Sequence, residues 1–520
     1  GETLREALLT LSPEIYGSIA QEKVELDGLL YVIDRLPEGI EECRYINLTS
    51  DEGYSDTHFT PIIPPKRRRN CYRIDAEQMN IEITRGRSEI YDILTHITFL
   101  FIESHKIMKQ VLINEKGDVN RDWQKLEVAV LQTENLTKDE REIALSHTAN
   151  ILGRTFKEVS GVYAKFSSAA KPERFLDIIY WLGKLALDEI LLENKRTVTF
   201  SSVLRETLGQ HIHGEQWADS IKAVLHTQGL LKRPIHIISA NMHSVQNSLY
   251  APETLKTKLK GQNKLQIFEE LSANSKHRDT VAKVATKEGM TFIKDKSGTN
   301  IDVQIFDTAK YSSGDYAAKI KNLDDADKPV IVVMDYAFGE QAYETMDELL
   351  KPYKSNDDTA IYLNVSSISI MGKAGILTGG KGDIMIPSSH IFEGTADNYP
   401  FENGLKIADL KGHDIGVYDG AMISVLGTSL QNKDLLRYFN RSTWGVVGLE
   451  MEGAHYQKAI QAHSKVRKSI RTDVCVNYAY YASDNPLETG STLASGGLGT
   501  TGVKPTYLIT EIILKQIFSS

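Results

Sequence analysis

From Arg233-Pro234 onward, short β-rich runs alternate with amphipathic stretches, a rhythm that few chain architectures accommodate. The β-rich runs occupy residues 235–239, 301–306, 330–334, 361–363, 367–371, 383–386 and 474–479, and helical spacing fills 341–350, 433–439, 452–463 and 505–518. Strands alternating with helices demand a sheet with helices packed on its faces. Residues 233–520 are therefore expected to form an α/β domain with a mixed, twisted sheet between two helical layers.

Residues 1–232 have a different texture. Apolar residues recur at helical spacing from Ile81 to about Val111 and again around 138–160 and 172–193, so this part is expected to be a mainly α-helical domain. At 520 residues the chain exceeds what one core usually serves, which agrees with two domains. A net charge of −9 offers no global attraction to nucleic acid or anionic membrane, and no apolar run reaches bilayer length. The first residues, Gly1-Glu2-Thr3-Leu4-Arg5-Glu6, carry acids where a secretory signal has basic and then apolar residues. Cys43, Cys71 and Cys475 lie far apart without CxxC spacing and read as reduced thiols of a cytoplasmic protein. The basic run Lys66-Arg67-Arg68-Arg69, with Arg73, follows a Pro-rich segment and reads as a solvated surface. His211 and His213 lack ligand partners at metal-site spacing, so no metal is assigned. Residues 262–300 are polar, with little periodicity, and read as an inserted excursion; 491–501 are rich in Gly, Ser and Thr.

Three segments carry the chemistry. Met371-Gly372-Lys373-Ala374-Gly375 reads as a strand ending in Gly-x-x-Gly, which lets backbone amides approach a ligand, although any tight turn uses glycine; Gly382-Asp383-Ile384 and Glu393-Gly394-Thr395 follow it. Gly448-Leu449-Glu450-Met451-Glu452-Gly453 places Glu450 and Glu452 on one side of an extended backbone and Met451 on the other. Those carboxylates suit vicinal sugar hydroxyls, and acids equally suit a helix N-terminus. In Ser483-Asp484-Asn485-Pro486, an aspartate at a strand end beside Tyr480 and Tyr481 can be partly desolvated and donate a proton, while the same residues also build ordinary turns.

Taken in order, these segments resemble the nucleoside phosphorylase/nucleosidase superfamily, and most nearly its AMP nucleosidases. The likeness is good over about 325–515 and weaker over 233–325. It implies a three-layer nucleoside-phosphorylase-like domain and hydrolysis of an AMP-like purine nucleotide to free base and ribose 5-phosphate. By the same likeness, Glu452 binds the ribose 2′-hydroxyl with Glu450 beside it, Met451 packs on the sugar, and Asp484, next to Ser483, protonates the purine N7. Glu393 is a candidate for orienting water. Gly372, Gly375, Thr395, Asn241 and His243 complete the binding set. The superfamily's phosphorylases carry Arg and Ser or Thr where this chain has Ile370 and Lys373. Lys373 is therefore assigned to the nucleotide phosphate or to steering the water, and hydrolysis is favoured. Phosphorolysis, with phosphate as a second ligand, is the alternative. A decayed nucleotide sensor is another, motivated by Tyr336 and Phe338 standing where the family has glycines. The resemblance implies a homo-oligomer and requires no cofactor.

Overall fold

Alternating side chains along two central strands decide how the C-terminal half folds. In the computed structural model, which describes all residues except 132–135, 169–170, 356–358, 396, 428–430, 489–497 and 520, Ile331 and Val333 belong to one apolar cluster and Val330, Val332 and Met334 to another. Such strands are coated on both faces. The chain divides into two compact units, Gly1–Gly209 with Ser429–Asn432, and Gln210–Thr428 with Lys433–Ser520. Helix Ile212–Thr227 stands on the far side of a division at 232, because Trp217, Ile221 and Leu225 pack in the second unit's core.

The first unit is helical, as its periodicity predicts, with helix Gly86–Val111 packed along Arg174–Leu191. Thr137 and Thr155 start two further helices through reciprocal capping boxes with Glu140 and Glu158. The unit also holds a four-stranded sheet that the sequence reading missed: β1 (Tyr45–Thr49), β2 (Cys71–Arg73), β3 (Gln78–Glu82) and β4 (Thr197–Phe200), in the order β2-β3-β1-β4.

The basic run is only in part the solvated surface that the sequence suggests: Lys66 and Arg68 are exposed, whereas Arg67 and Arg69 turn inward. Arg69 is 3% exposed, and with Arg67 it closes on Asp92 of helix Gly86–Val111: Arg67 Nη2 reaches Oδ1 at 2.6 Å and Arg69 Nη2 reaches Oδ2 at 2.6 Å. Arg69 and Arg85 also pair with Glu89, at 3.1 and 2.6 Å. Burial opposes the charge of Asp92, yet Arg67 and His96 overcome it and hold the carboxyl well below the usual range. Arg73 reaches Glu42 at 2.9 Å.

In the second unit ten strands form one mixed sheet among the described residues. Two short strands, β9 (Tyr353–Lys354) and β10 (Ala360–Ile361), pair separately. The ten are β5 (Ile235–Ser239), β6 (Met290–Ile293), β7 (Val303–Asp307), β8 (Val330–Met334), β11 (Val365–Ile376), β12 (Ile384–Phe392), β13 (Asn398–Pro400), β14 (Val417–Ser424), β15 (Val446–Glu450) and β16 (Cys475–Asp484). Around β5 and β8 the layering is the expected one. Helices Ile212–Thr227 and Gln341–Leu349 bury residues in one cluster, while Ser244–Leu255 and Val503–Ile517 bury theirs in the other. Elsewhere the sheet departs from an open three-layer plan. β11 pairs with β16, β16 with β12, β12 with β14, β14 with β15, and β15 with β11, which closes a ring of five strands. The polar stretch 262–300 contains two helices, Lys264–Ala273 and Ser275–Lys287, and β6. Of residues 491–501, 491–497 lie outside the described residues.

Candidate functional site

The ring brings opposed strands together at their carboxyl ends, the edge where α/β sheets bind ligands. β11 and β15 are antiparallel and share only two pairs, Gly375 with Leu449 and Ile376 with Gly448. Gly375 pairs on its other side with Asp484. Two strand spacings of about 4.8 Å thus separate the Leu449 and Asp484 backbones by roughly 10 Å, about the length of a nucleoside. Across β14 that row continues through Ile423 to Ile391, and one residue further on Ser424 lies opposite Glu450 on one side and Phe392 on the other.

Gly-x-x-Gly at 372–375 is therefore not a turn after a strand. β11 runs through Ile376, Gly372 lies in the ladder opposite Tyr480, and the register shifts between Ala374 and Gly375. The glycines of the acidic motif are fixed by close approach: a Cβ on Gly448 would stand 2.6 Å from Gly375 O, and one on Gly453 would stand 2.7 Å from the Tyr480 hydroxyl.

The two motif glutamates have different surroundings. Glu450 is buried and accepts from Glu452 N at 2.5 Å, from Gly453 N and from the Ser424 hydroxyl. Ser424 Oγ accepts in turn from Ala454 N at 2.7 Å. Glu450 thus caps helix Gly453–Gln461 and holds the turn before it. Glu452 is half-buried; it takes Gly339 N at 2.9 Å and Met451 N at 3.3 Å, and so faces the loop after β8. Burial pushes Glu450 up to about 7, and burial followed by the charge of Glu450 pushes Glu452 up to about 8.

A carboxyl whose pKa rises on folding contributes stability that is complete below its unfolded value and lost as pH rises through the folded one. Thermal stability is accordingly expected to fall between about pH 4.5 and pH 8, and Glu452→Gln is expected to flatten that fall. Melting curves across this range check it, and a Glu452→Gln curve as steep as wild type would contradict the assignment.

Ser483 Oγ lies within hydrogen-bond distance of Asp484 Oδ1 and 3.2 Å from Ala374 O. Glu393 accepts from Leu426 N at 3.2 Å, and its own N–H donates to Ser424 O at 3.0 Å, which seats it one strand from Glu450; burial raises its pKa. Thr395 is exposed and donates to Asp397 at 2.7 Å, which assigns it to its local turn. Asn241 accepts from His243 N and Ser244 N at 2.8 and 3.2 Å, so it shapes the start of helix Ser244–Leu255, and His243 is exposed beside it. Lys373, also exposed, lines a cavity together with both residues. Tyr336 leans on Gly372, with its hydroxyl 3.3 Å from that of Tyr481.

Residues 2–258 and 264–519 match a profile described as "Family of unknown function (DUF6909)". The chain belongs to this family. No curated protein matches the DUF6909 chain. Solved structures resemble it at a distance. The 5′-methylthioadenosine/S-adenosylhomocysteine nucleosidase of Neisseria meningitidis is 11% identical, covering 55% of this chain and 100% of that one, with a TM-score of 0.31. Futalosine hydrolase of Helicobacter pylori strain 26695 is 11% identical, over 55% and 99%, with 0.31. Uridine phosphorylase of Schistosoma mansoni is 13% identical, over 59% and 90%, with 0.32. Likeness of this degree does not fix an activity.

In the DUF6909 chain the sheet edge thus gathers Glu450, Glu452, Glu393, Ser483, Asp484 and Gly375. Sequence reasoning missed Ser424 and Gly339, whose roles depend on neighbours far away in sequence. It also missed the partners of His211: a ring nitrogen lies with carboxylate oxygens of Asp347 and Glu348, all within 4.8 Å of one another. Arg467 at 2.6 Å from Asp347 and Lys351 at 2.7 Å from Glu348 already balance both carboxylates, so the group reads as an ion-pair network. No helix among the described residues is long and apolar enough to cross a membrane.

Proposed function

We propose that this chain cleaves the N-glycosidic bond of a purine nucleotide with water, releasing free base and ribose 5-phosphate. The observation that carries this reading is the pairing of Gly375 with both Leu449 and Asp484, which sets an acid and a carboxylate-lined turn on either side of one strand. Cleavage passes through an oxocarbenium-like sugar while negative charge grows on the departing base. Asp484 gives its proton to N7 as the bond from C1′ to N9 breaks and the electron pair leaves with the base. The Ser483 hydroxyl reaches both Ala374 O and Asp484 Oδ1; when it donates to Oδ1, the acid's own proton sits on Oδ2 and passes from there to N7. Glu452 takes the 2′-hydroxyl, Met451 covers the sugar, and Glu393 orients the water that adds to C1′ and takes up its proton. Glu450 positions this turn rather than touching substrate. Lys373 meets the nucleotide phosphate.

Above about pH 8, where Glu452 is ionised, Glu452→Gln is expected to lower kcat/KM by about ten- to a hundredfold, the worth of a hydrogen bond to a charged group. The 2′-deoxynucleotide is expected to suffer a similar loss with wild type and little further loss with the variant. Full additivity of the two changes would show that Glu452 and the 2′-hydroxyl do not meet.

A further inference from the structure

One cavity of about 530 Å³ borders the loop after β5, and its lining includes Asn241, His243, Asn247, Arg278, Lys373 and Tyr507. No Asp or Glu lines it among the described residues, in a chain of net charge −9. Arg278 comes from helix Ser275–Lys287, within the stretch that reads as an excursion. Its Nη1 donates to Leu271 O at 2.7 Å and Ser272 O at 3.1 Å, which fixes the guanidinium plane, and no carboxylate pairs with it among the described residues. A fixed guanidinium without a counter-ion offers a fork suited to oxyanions. The start of helix Ser244–Leu255, at the same cavity, adds the positive end of a helix dipole.

Asn247 supplies an independent sign. It is 2% exposed; its Nδ2 reaches the Tyr507 hydroxyl at 2.8 Å, and its buried Oδ1 has no hydrogen-bond partner. The two ends of an amide exchange by a half-turn. Tyr507 then donates to Oδ1, and Nδ2 becomes a donor for a ligand.

We propose that this cavity binds a phosphate group, and that Arg278 with Asn247 selects it. Two sources share this chemistry, the 5′-phosphate of a nucleotide and inorganic phosphate. Binding of phosphate itself stands without the proposed cleavage; its assignment to a substrate rests on that reading.

The test is calorimetric titration at low ionic strength with inorganic phosphate, AMP and adenosine. Wild type is expected to bind phosphate and AMP. Arg278→Gln is expected to weaken both by about tenfold or more, Arg278→Lys by less, and Lys276→Gln, exposed on the same helix, not at all. Asn247→Asp, isosteric but anionic, is expected to repeat the loss without relying on Arg278, and circular dichroism checks that each variant folds. AMP binding tighter than adenosine, with phosphate competing, identifies the 5′-phosphate. Phosphate and adenosine binding together, with ribose 1-phosphate as product, identifies a co-substrate. Wild type that binds neither phosphate nor AMP, or binding that Arg278→Gln and Asn247→Asp leave unchanged, overturns the subsite. Base release without phosphate affinity defeats the subsite and spares the cleavage, whereas phosphate affinity without base release does the reverse.

Discussion

Asp484→Asn is expected to slow base release by about two to four orders of magnitude, the usual contribution of a positioned general acid. The substitution preserves shape, and the amide still donates a hydrogen bond toward N7, so KM is expected to change far less than kcat. What the amide lacks is a transferable proton. Because the acid must be protonated to act, the wild-type rate should fall on the alkaline side of its pH profile, and that limb should be missing from the variant. Asp484 ends β16, held in register with Gly375 and beside the Ser483 hydroxyl, so its position is set by the sheet. Activity within a few-fold of wild type would remove Asp484 from the mechanism.

The second large effect belongs to stability. Asp92→Ala is expected to cost about 3–5 kcal/mol, the penalty for leaving buried charges without their partner. Asp92 takes Arg67 at 2.6 and 2.8 Å and Arg69 at 2.6 Å, and His96 lies 3.2 Å away, in surroundings where Arg69 is 3% and Asp92 5% exposed. Removing the carboxylate takes from Arg67 its ion pair and leaves the buried Arg69 with Glu89 alone, which Arg85 already engages. Denaturant unfolding of the full chain, followed by circular dichroism, measures the loss. A cost below about 1 kcal/mol, typical of exposed ion pairs, would mean that water reaches the cluster.

That cluster shows where sequence reading fails. Four basic residues after prolines resemble a surface loop, and nothing local reveals that Asp92 and Glu89 meet Arg67 and Arg69 from a helix whose pattern is dominated by apolar positions. The first unit's sheet is hidden for a similar reason: β1 pairs with β4 across about 150 residues, and its strands have only three to five residues each. Helix Ser275–Lys287 buries only Val281 and Ala285, too thin a stripe to register, so Arg278 went unnoticed. By contrast, β8 is a continuous apolar run and β5 is dominated by isoleucine, and their limits are those the sequence predicts. The acidic motif and Ser483-Asp484 were legible as candidate chemistry because charged residues at strand ends stand out against such runs. Their spacing was not legible, because it depends on the two-residue overlap of β11 and β15. Nor was the division of labour between Glu450 and Glu452, which Ser424 and Gly339 impose.

The most direct test is to incubate the purified chain with AMP in phosphate-free buffer and separate the products by chromatography. Adenine and ribose 5-phosphate in equal amounts, lost with Asp484→Asn, is the expected result. If AMP, other purine nucleotides and nucleosides all emerge intact, with and without added phosphate, while still raising the melting temperature, the chain binds nucleotides without cleaving them and the central claim is wrong.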